Sequence, residues 1–291
     1  MNFYLPDFYN GFGLNTFICQ LLEEHPEYFY DDVKIPAFYG TFPGAIWNGG
    51  RTMAGIATRQ EVEETVRILN DHGIALRYTF TNSLLDESHL HDTYCNMLME
   101  VADTGHNEII INSPLLENYL RERYPNFKYI LSTTRCERDL NKINEATQQY
   151  DLVVTDYRDN NNIDFLQGIQ NKSKIELLVN AYCNPDCKYR KRHYELISFH
   201  QLNFDAPEAE QDQNILSCPT YSRDFYDILD FPTVITVEDL YQKYTAMGFS
   251  HFKIEGRTMH IATVIESYVY YLIKPEYRDK VRLLILKTCI R

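Results

Sequence analysis

The stretch EIIINSPLLENYLRERYPNFKYILST, from Glu108 to Thr133, shows the pattern that decides the fold. A short apolar run is followed by a helix-like segment, in which Pro114 suits the first helical turn. A second apolar run then leads to Ser132 and Thr133. Because strands that alternate with helices form parallel sheets, the stretch predicts one β/α/β unit.

The same alternation recurs along the chain. Strand-like runs, each with a helix or partial helix behind it, cover residues 34–40, 74–80, 108–113, 127–133, 151–156, 174–180, 231–236 and 250–257. Eight such units in 291 residues predict an α/β fold with a closed (β/α)8 barrel of the TIM type. The alternative is an open doubly wound sheet, but no G-x-G-x-x-G motif follows a strand to mark a dinucleotide site.

Two segments fall outside this alternation but inside the same predicted domain, residues 1–291. Residues 1–34 include NTFICQLLEEH and are predicted to form an N-terminal helical extension on the bottom or side of the barrel. Residues 199–231 are polar and are predicted to form an excursion before the seventh strand.

The chain is acidic, with a formal net charge of −13. This balance disfavours non-specific binding to DNA or to an anionic membrane. The run CKYRKRHY, residues 187–194, is locally basic and is interpreted either as a solvated helix face or as an RNA-binding surface. No apolar run is long enough to cross a bilayer, and the N-terminus does not resemble a secretory signal. We therefore expect a cytoplasmic protein without membrane contact.

Charged side chains are predicted inside the barrel. In SHFKIEGR, residues 250–257, two apolar residues alternate with Lys253 and Glu255, so the apolar pair should face the helices and the charged pair the interior. The same alternation turns Arg77 and Glu176 inward, where they can share a layer with Lys253. Because a buried charge is costly unless it is paired, this layer is interpreted either as an ion-pair plug or as the floor of a substrate site.

Chemistry in such barrels gathers at the C-terminal ends of the strands. Glu255 and Arg257 end the last strand and, with Lys253, are predicted to be catalytic. Arg51 is suited to bidentate binding of a carboxylate or phosphate, and Trp47 either stacks on a flat substrate or caps the barrel. The full set predicted to bind substrate comprises Trp47, Arg51, Arg77, Asn82 (or a helix cap), Asn112, Glu176 and Asn180.

Cysteines are placed where they can converge on this face. Cys183 and Cys187 flank a proline after the sixth predicted strand, Cys218 lies in the excursion, and Cys136 follows the fourth strand. Seven cysteines without a secretory signal indicate metal binding rather than disulfides. A cluster on these four thiols, or structural zinc with His193 in place of Cys136, is predicted. Unligated thiols, or a Cys183 nucleophile with His193 as base, are the alternatives.

Three segments resemble the collagenase-like peptidase family. They are FSHFKIEGR at residues 249–257, AFYGTFPGAIWNGGR at 37–51 and LLVNAYCNPDCKYRKRHY at 177–194. The likeness extends over about residues 35–257. It implies a barrel-like core with a [4Fe–4S] cluster, which serves oxygen-independent hydroxylation in ubiquinone synthesis or of bases in RNA. By the same resemblance, Cys183, Cys187 and Cys218 would ligate the cluster, and Glu255 and Arg257 would line the substrate pocket.

Three functions follow as hypotheses. The first is an iron–sulfur enzyme, a hydroxylase or other redox modifier of a small molecule or an RNA base. The second is a peptidase, the activity in the family's name. The third is a non-catalytic cluster-bearing or scaffold partner, and both a homo-oligomer and a hetero-oligomer are compatible with the sequence.

Overall fold

Eight parallel strands close into a barrel in chain order. The computed structural model describes residues 1–204, 206–207, 212, 215, 218 and 223–289. The strands are β1 Asn2–Pro6, β2 Lys34–Gly40, β3 Ala75–Phe80, β4 Glu108–Ile111, β5 Lys128–Leu131, β6 Leu152–Val154, β7 Ile175–Leu178 and β8 His251–Lys253. Because β1 pairs with both β2 and β8, the barrel has no open edge, and the predicted (β/α)8 class is confirmed.

Helices lie between the strands and after the last one. They are α1 Phe12–Glu24, α2 Arg59–Asp71, α3 Thr93–Ala102, α4 Pro114–Arg123, α5 Leu140–Gln149, α6 Ile163–Gly168, α7 Arg190–Leu202, α8 Val237–Asp239, α9 Ile261–Leu272 and α10 Arg278–Cys289. A π-helix, Leu240–Tyr244, continues α8. None of the helices in the described part of the chain combines the length and apolar composition that crossing a bilayer requires.

Local signals set where these helices begin. Thr58 caps α2 through a capping box: its hydroxyl accepts from the Glu61 amide, and the Glu61 carboxylate accepts from the Thr58 amide. Pro114 occupies the first turn of α4, as predicted, behind the N-cap hydroxyl of Ser113.

The assignment of two strands differs from the sequence prediction. Residues 1–34 contain the predicted helix, α1, but they also contain the first barrel strand, β1. Residues 231–236 form no strand: β7 pairs directly with β8, and Ile235 donates only one backbone hydrogen bond, of 2.9 Å, to Val179. The apolar composition of residues 231–236 has another cause: Val234 and Ile235 are buried against the outside of the barrel without forming one of its strands. The predicted excursion, residues 199–231, lies partly outside the described residues.

The core has an outer and an inner part. Side chains such as Phe38, Leu76 and Phe252 face the helices in one continuous apolar cluster. A smaller cluster fills the barrel interior and includes Tyr4, Ala37, Tyr39, Ala75, Ile110, Ile130, Leu152 and Val154. The alternation in β8 confirms the predicted orientation, since Phe252 packs outward whereas Lys253 faces Glu176 inside.

Candidate active site

A cavity of about 70 Å³ with several charged lining residues opens at the C-terminal mouth of the barrel. Its size accommodates a few water molecules or one functional group of a larger molecule. Its charged lining consists of Arg51, Lys253, Glu255 and Arg257, all predicted from the sequence as site residues. The other lining residues are Tyr39, Gly50, Thr79, Thr81, Ile110, Ser132, Thr133, Thr134, Leu178 and Tyr194.

Glu255 is held in place from β7 and from the loop after β2. The Asn180 side chain accepts from the Glu255 amide at 2.6 Å and donates to the Glu255 carbonyl at 3.0 Å. One oxygen of the Glu255 carboxylate accepts from the Tyr182 amide at 3.2 Å, and the other accepts from the Arg51 guanidinium. The carboxylate is therefore fixed and charge-compensated, and Asn180 positions it rather than lining the cavity.

Arg257 ties the glycine-rich loop after β2 to the barrel. Its guanidinium donates to the Asn48 side chain at 3.1 Å, the Thr79 hydroxyl at 2.8 Å and the Gly49 carbonyl at 2.9 Å. Gly50 adopts a φ of +77°, and a Cβ at this position would lie 3.1 Å from Arg257 Nη2. The loop can pass this close because a glycine stands there.

Lys253 lies at the base of the cavity and is only 7% exposed. Burial lowers the pKa of its ammonium group from 10.5 to about 8, although Glu176 acts in the opposite direction. Its Nζ lies 3.7 Å from Glu176 Oε1 and 3.9 Å from the centre of the Tyr39 ring. A lysine in this setting exchanges protons near neutral pH.

An ion-pair layer lies beneath the cavity. Arg77 donates through Nε to Glu108 at 2.6 Å and through Nη1 to the fully buried Glu176. Arg77, Glu176 and Lys253 therefore meet in the interior, as predicted. The sequence placed them on even-numbered strands, the second, sixth and eighth, whereas they stand on β3, β7 and β8 because β1 precedes them and residues 231–236 form no strand. The floor of the cavity is thus charged and fixed by pairing.

Of the seven residues predicted to bind substrate, only Arg51 is in the cavity lining. Arg77, Glu176 and Asn180 lie beneath or beside it, and the other three support the surrounding loops. Trp47 is buried and donates through its indole nitrogen to the His89 carbonyl at 2.7 Å. Asn82 donates to the carbonyls of Ile46 and Ser198, which fixes loops to each other. Asn112 donates to Thr134 Oγ1 at 2.9 Å and so supports a lining residue.

Part of the lining was missed in the sequence because it comes from α7. Arg190 and Tyr194 stand one helical turn apart, and Arg190 donates to the Tyr194 hydroxyl at 3.2 Å and to Thr133 Oγ1 at 3.0 Å. Arg190 also pairs with the buried carboxylate of Asp156. The interpretation of CKYRKRHY as a wholly solvated face is wrong at Arg190, which is 3% exposed, and holds for Lys191, which is exposed.

Among the described residues, the side chains predicted to bind a metal do not form one group. Within residues 1–204, 223–289 and the described positions between them, no group of three His, Cys, Asp or Glu side chains could hold a metal ion. Cys136 contacts Arg190 through its sulfur at 3.4 Å, and burial raises the pKa of Cys183 to about 11. Burial and the nearby Arg51 lower the pKa of His193 to about 4. The described side chains thus do not fit the cluster or the zinc site, and both assignments stay predictions.

Comparisons with known proteins relate the chain to one fold. No family model and no curated protein matches it. A solved structure described as "The Structure of the U32 Peptidase Mk0906" superposes with a TM-score of 0.50 at 12% identity, over 88% of this chain and 92% of that chain. U32 peptidases are the collagenase-like peptidases that three segments of the sequence resemble. At this identity the similarity shows a common barrel fold.

Proposed function

We propose that the chain is a hydrolase that cleaves an amide bond in a small peptide-like substrate at the mouth of the barrel. The observation that carries the proposal is the convergence of Arg51, Lys253, Glu255 and Arg257 on one cavity at the C-terminal ends of the strands. The barrel is shared with a protein described as a peptidase, which supports this reaction class over others.

The residues suit the two proton transfers of amide hydrolysis. The Glu255 carboxylate accepts a proton from a water molecule, whose oxygen attacks the carbonyl carbon of the substrate. The Arg51 guanidinium and the hydroxyl groups of the lining stabilise the negative charge that develops on the carbonyl oxygen. The Lys253 ammonium donates a proton to the amide nitrogen as the carbon–nitrogen bond breaks. The products are a carboxylic acid and an amine.

The size of the cavity limits what enters it. A volume of about 70 Å³ holds the scissile group and the attacking water but not a complete peptide. The remainder of the substrate would lie over the loops that follow the strands. The small volume therefore favours short, flexible substrates over folded proteins.

The test is hydrolysis of a mixture of short peptides, followed by mass spectrometry of the new amino termini. Glu255→Gln and Lys253→Met should each reduce the rate by roughly a hundredfold or more, because each removes one proton transfer. Glu266→Gln is the matched control, since Glu266 is also a half-buried glutamate paired with an arginine, Arg282, but lies on α9. Equal cleavage by the wild type and both cavity variants would refute the assignment.

The iron–sulfur and scaffold hypotheses stay predictions with their own tests. Iron and sulfide analysis after anaerobic purification measures whether a cluster is bound, and a stoichiometric content of both would favour redox chemistry over hydrolysis. Co-purification from the host, followed by size-exclusion chromatography, tests for a partner chain.

A further inference from the structure

A second cavity, of about 360 Å³, lies on the same face of the barrel but shares no described lining residue with the first. Its lining includes Arg138, Arg158, Asp186, Cys187, Lys188 and Thr233. They come from the segments that follow β5, β6 and β7 and from the segment before α8. The space that these residues line is called the second cavity below.

Two arginines have hydrogen-bond donors without a partner in the described part of the chain. Arg138 donates through Nε and Nη2 to Asp159 at 2.7 and 2.6 Å. Arg158 donates through the same two nitrogens to Asp156 at 2.9 and 2.7 Å. The Nη1 group of each arginine makes no hydrogen bond with the described residues. Both guanidinium groups are thus oriented by a carboxylate, which is how proteins prepare arginine to bind an anion.

The lining of the second cavity holds more cations than carboxylates, although the whole chain carries −13. Asp156 pairs with the buried Arg190 as well as with Arg158, so two guanidinium groups oppose one carboxylate. Lys188 is exposed and forms no ion pair with the described residues. In the lining itself, the three cations Arg138, Arg158 and Lys188 are set against the one carboxylate of Asp186. The two arginines are held by Asp159 and Asp156, which are not part of the lining.

Thr233 provides an independent observation. Its side chain is 4% exposed, and its hydroxyl is buried without a hydrogen-bond partner among the described residues. A buried hydroxyl in this state is unfavourable, so such groups call for an explanation, commonly a bound ligand or ion. The backbone carbonyl of Thr233 accepts from Asn160 at 2.8 Å, which fixes the residue beside the cavity.

We propose that the second cavity binds the phosphate group of a small molecule. The site offers hydrogen-bond donors from two oriented guanidinium groups, an ammonium group and a hydroxyl. A phosphate group has three acceptor oxygens and up to two negative charges, so it can accept from more of these donors than a single carboxylate can. The volume falls in the range of small-molecule sites, which begins at roughly 300 Å³. The cavity therefore has room for more than the phosphate group alone. This inference does not depend on amide hydrolysis in the first cavity.

Isothermal titration calorimetry of the full chain tests the proposal with inorganic phosphate, phenyl phosphate and malonate. Phenyl phosphate should bind at least as tightly as inorganic phosphate, because the cavity has room for the rest of the molecule. Weaker binding of phenyl phosphate would overturn the assignment to a phosphate ester. Tighter binding of malonate than of both phosphates would overturn the assignment to phosphate.

Three variants distinguish binding in the second cavity from non-specific attraction of an anion to positive charge. Thr233→Val keeps the shape of the side chain and should weaken phenyl phosphate binding by roughly tenfold, because a hydrogen bond to a charged group is lost. Lys188→Met should weaken it by roughly threefold. Lys191→Met is the matched control, an exposed lysine of the same basic run outside the second cavity, and should leave binding unchanged. Wild-type affinity in both Thr233→Val and Lys188→Met, or equal losses in Lys188→Met and Lys191→Met, would refute the site.

Discussion

Lys253 is expected to destabilise the folded chain below pH 8, and its replacement by methionine tests this. The ammonium group is buried, and its pKa falls from 10.5 to about 8 on folding because burial disfavours the charged form. The unfolded chain consequently binds this proton more tightly than the folded chain. Stability of the wild type should therefore rise with pH between about 8 and 10.5, whereas Lys253→Met lacks this contribution.

The magnitude follows from the two pKa values. A tenfold change in proton affinity corresponds to about 1.4 kcal/mol, so the fall from 10.5 to about 8 amounts to about 3 kcal/mol. Methionine has a similar length and no charge, so it removes the ammonium group between the Tyr39 ring and Glu176 with a small change of shape. The free energy of unfolding of Lys253→Met, relative to the wild type, should thus decrease by about 3 kcal/mol from pH 7 to pH 10.5.

Urea unfolding at a series of pH values measures this difference. Packing changes in the variant contribute equally at every pH, and the many buried tyrosines titrate in both proteins, so both effects cancel in the pH dependence. Lys191→Met, which removes an exposed lysine of α7, should follow the wild type throughout. A relative stability of Lys253→Met that stays constant or increases between pH 7 and 10.5 would show that the ammonium group is not disfavoured in the fold.

Three further outcomes follow from the same site. Peptide hydrolysis should decline as the pH rises through about 8, because Lys253 loses the proton that it donates; a rate that is flat from pH 7 to 9.5 would exclude this role. Glu176→Gln should lower the free energy of unfolding by about 3 kcal/mol in chemical denaturation, since Arg77 and Lys253 lose a buried partner; a change below about 1 kcal/mol would contradict the pairing. Gly50→Ala should destabilise the chain by about 1 kcal/mol or more and reduce hydrolysis, because the left-handed backbone and the close approach of Arg257 both oppose a side chain. If Gly50→Ala unfolds at the same midpoint temperature as the wild type, that explanation is wrong.

The sequence predicted the class of fold well because the alternation of strands and helices is a local pattern. It also placed Lys253 inside, since the two-residue period of β8 is visible in a few residues. Strand identity was harder to predict. Residues 231–236 have the composition of a buried strand but form none, whereas β1 is a strand of only five residues. The difference between them lies in the pairing of β1 with β8, which joins distant parts of the chain and leaves no local pattern.

The candidate site was predicted in part for a similar reason. Residues at strand ends were found because the fold fixes their face, and Glu255 and Arg257 are of this kind. The partner of Glu255, Arg51, lies 204 residues earlier, and its direction depends on how a loop folds. Arg190 was misjudged because the turn before α7 decides which side of that helix meets the barrel, and local charge carries no information about that turn.

The position of β1 has a consequence for how the protein is made. Residues 2–4 pair with residues 251–253, so the seam of the barrel joins two segments that are 249 residues apart in the chain. Until β8 leaves the ribosome, the free edge of β1 has no neighbour on that side, and exposed strand edges invite pairing with other chains. Contacts of such long sequence separation also slow folding. Nascent chains should accordingly depend on chaperones until β8 has been synthesised and can pair with β1.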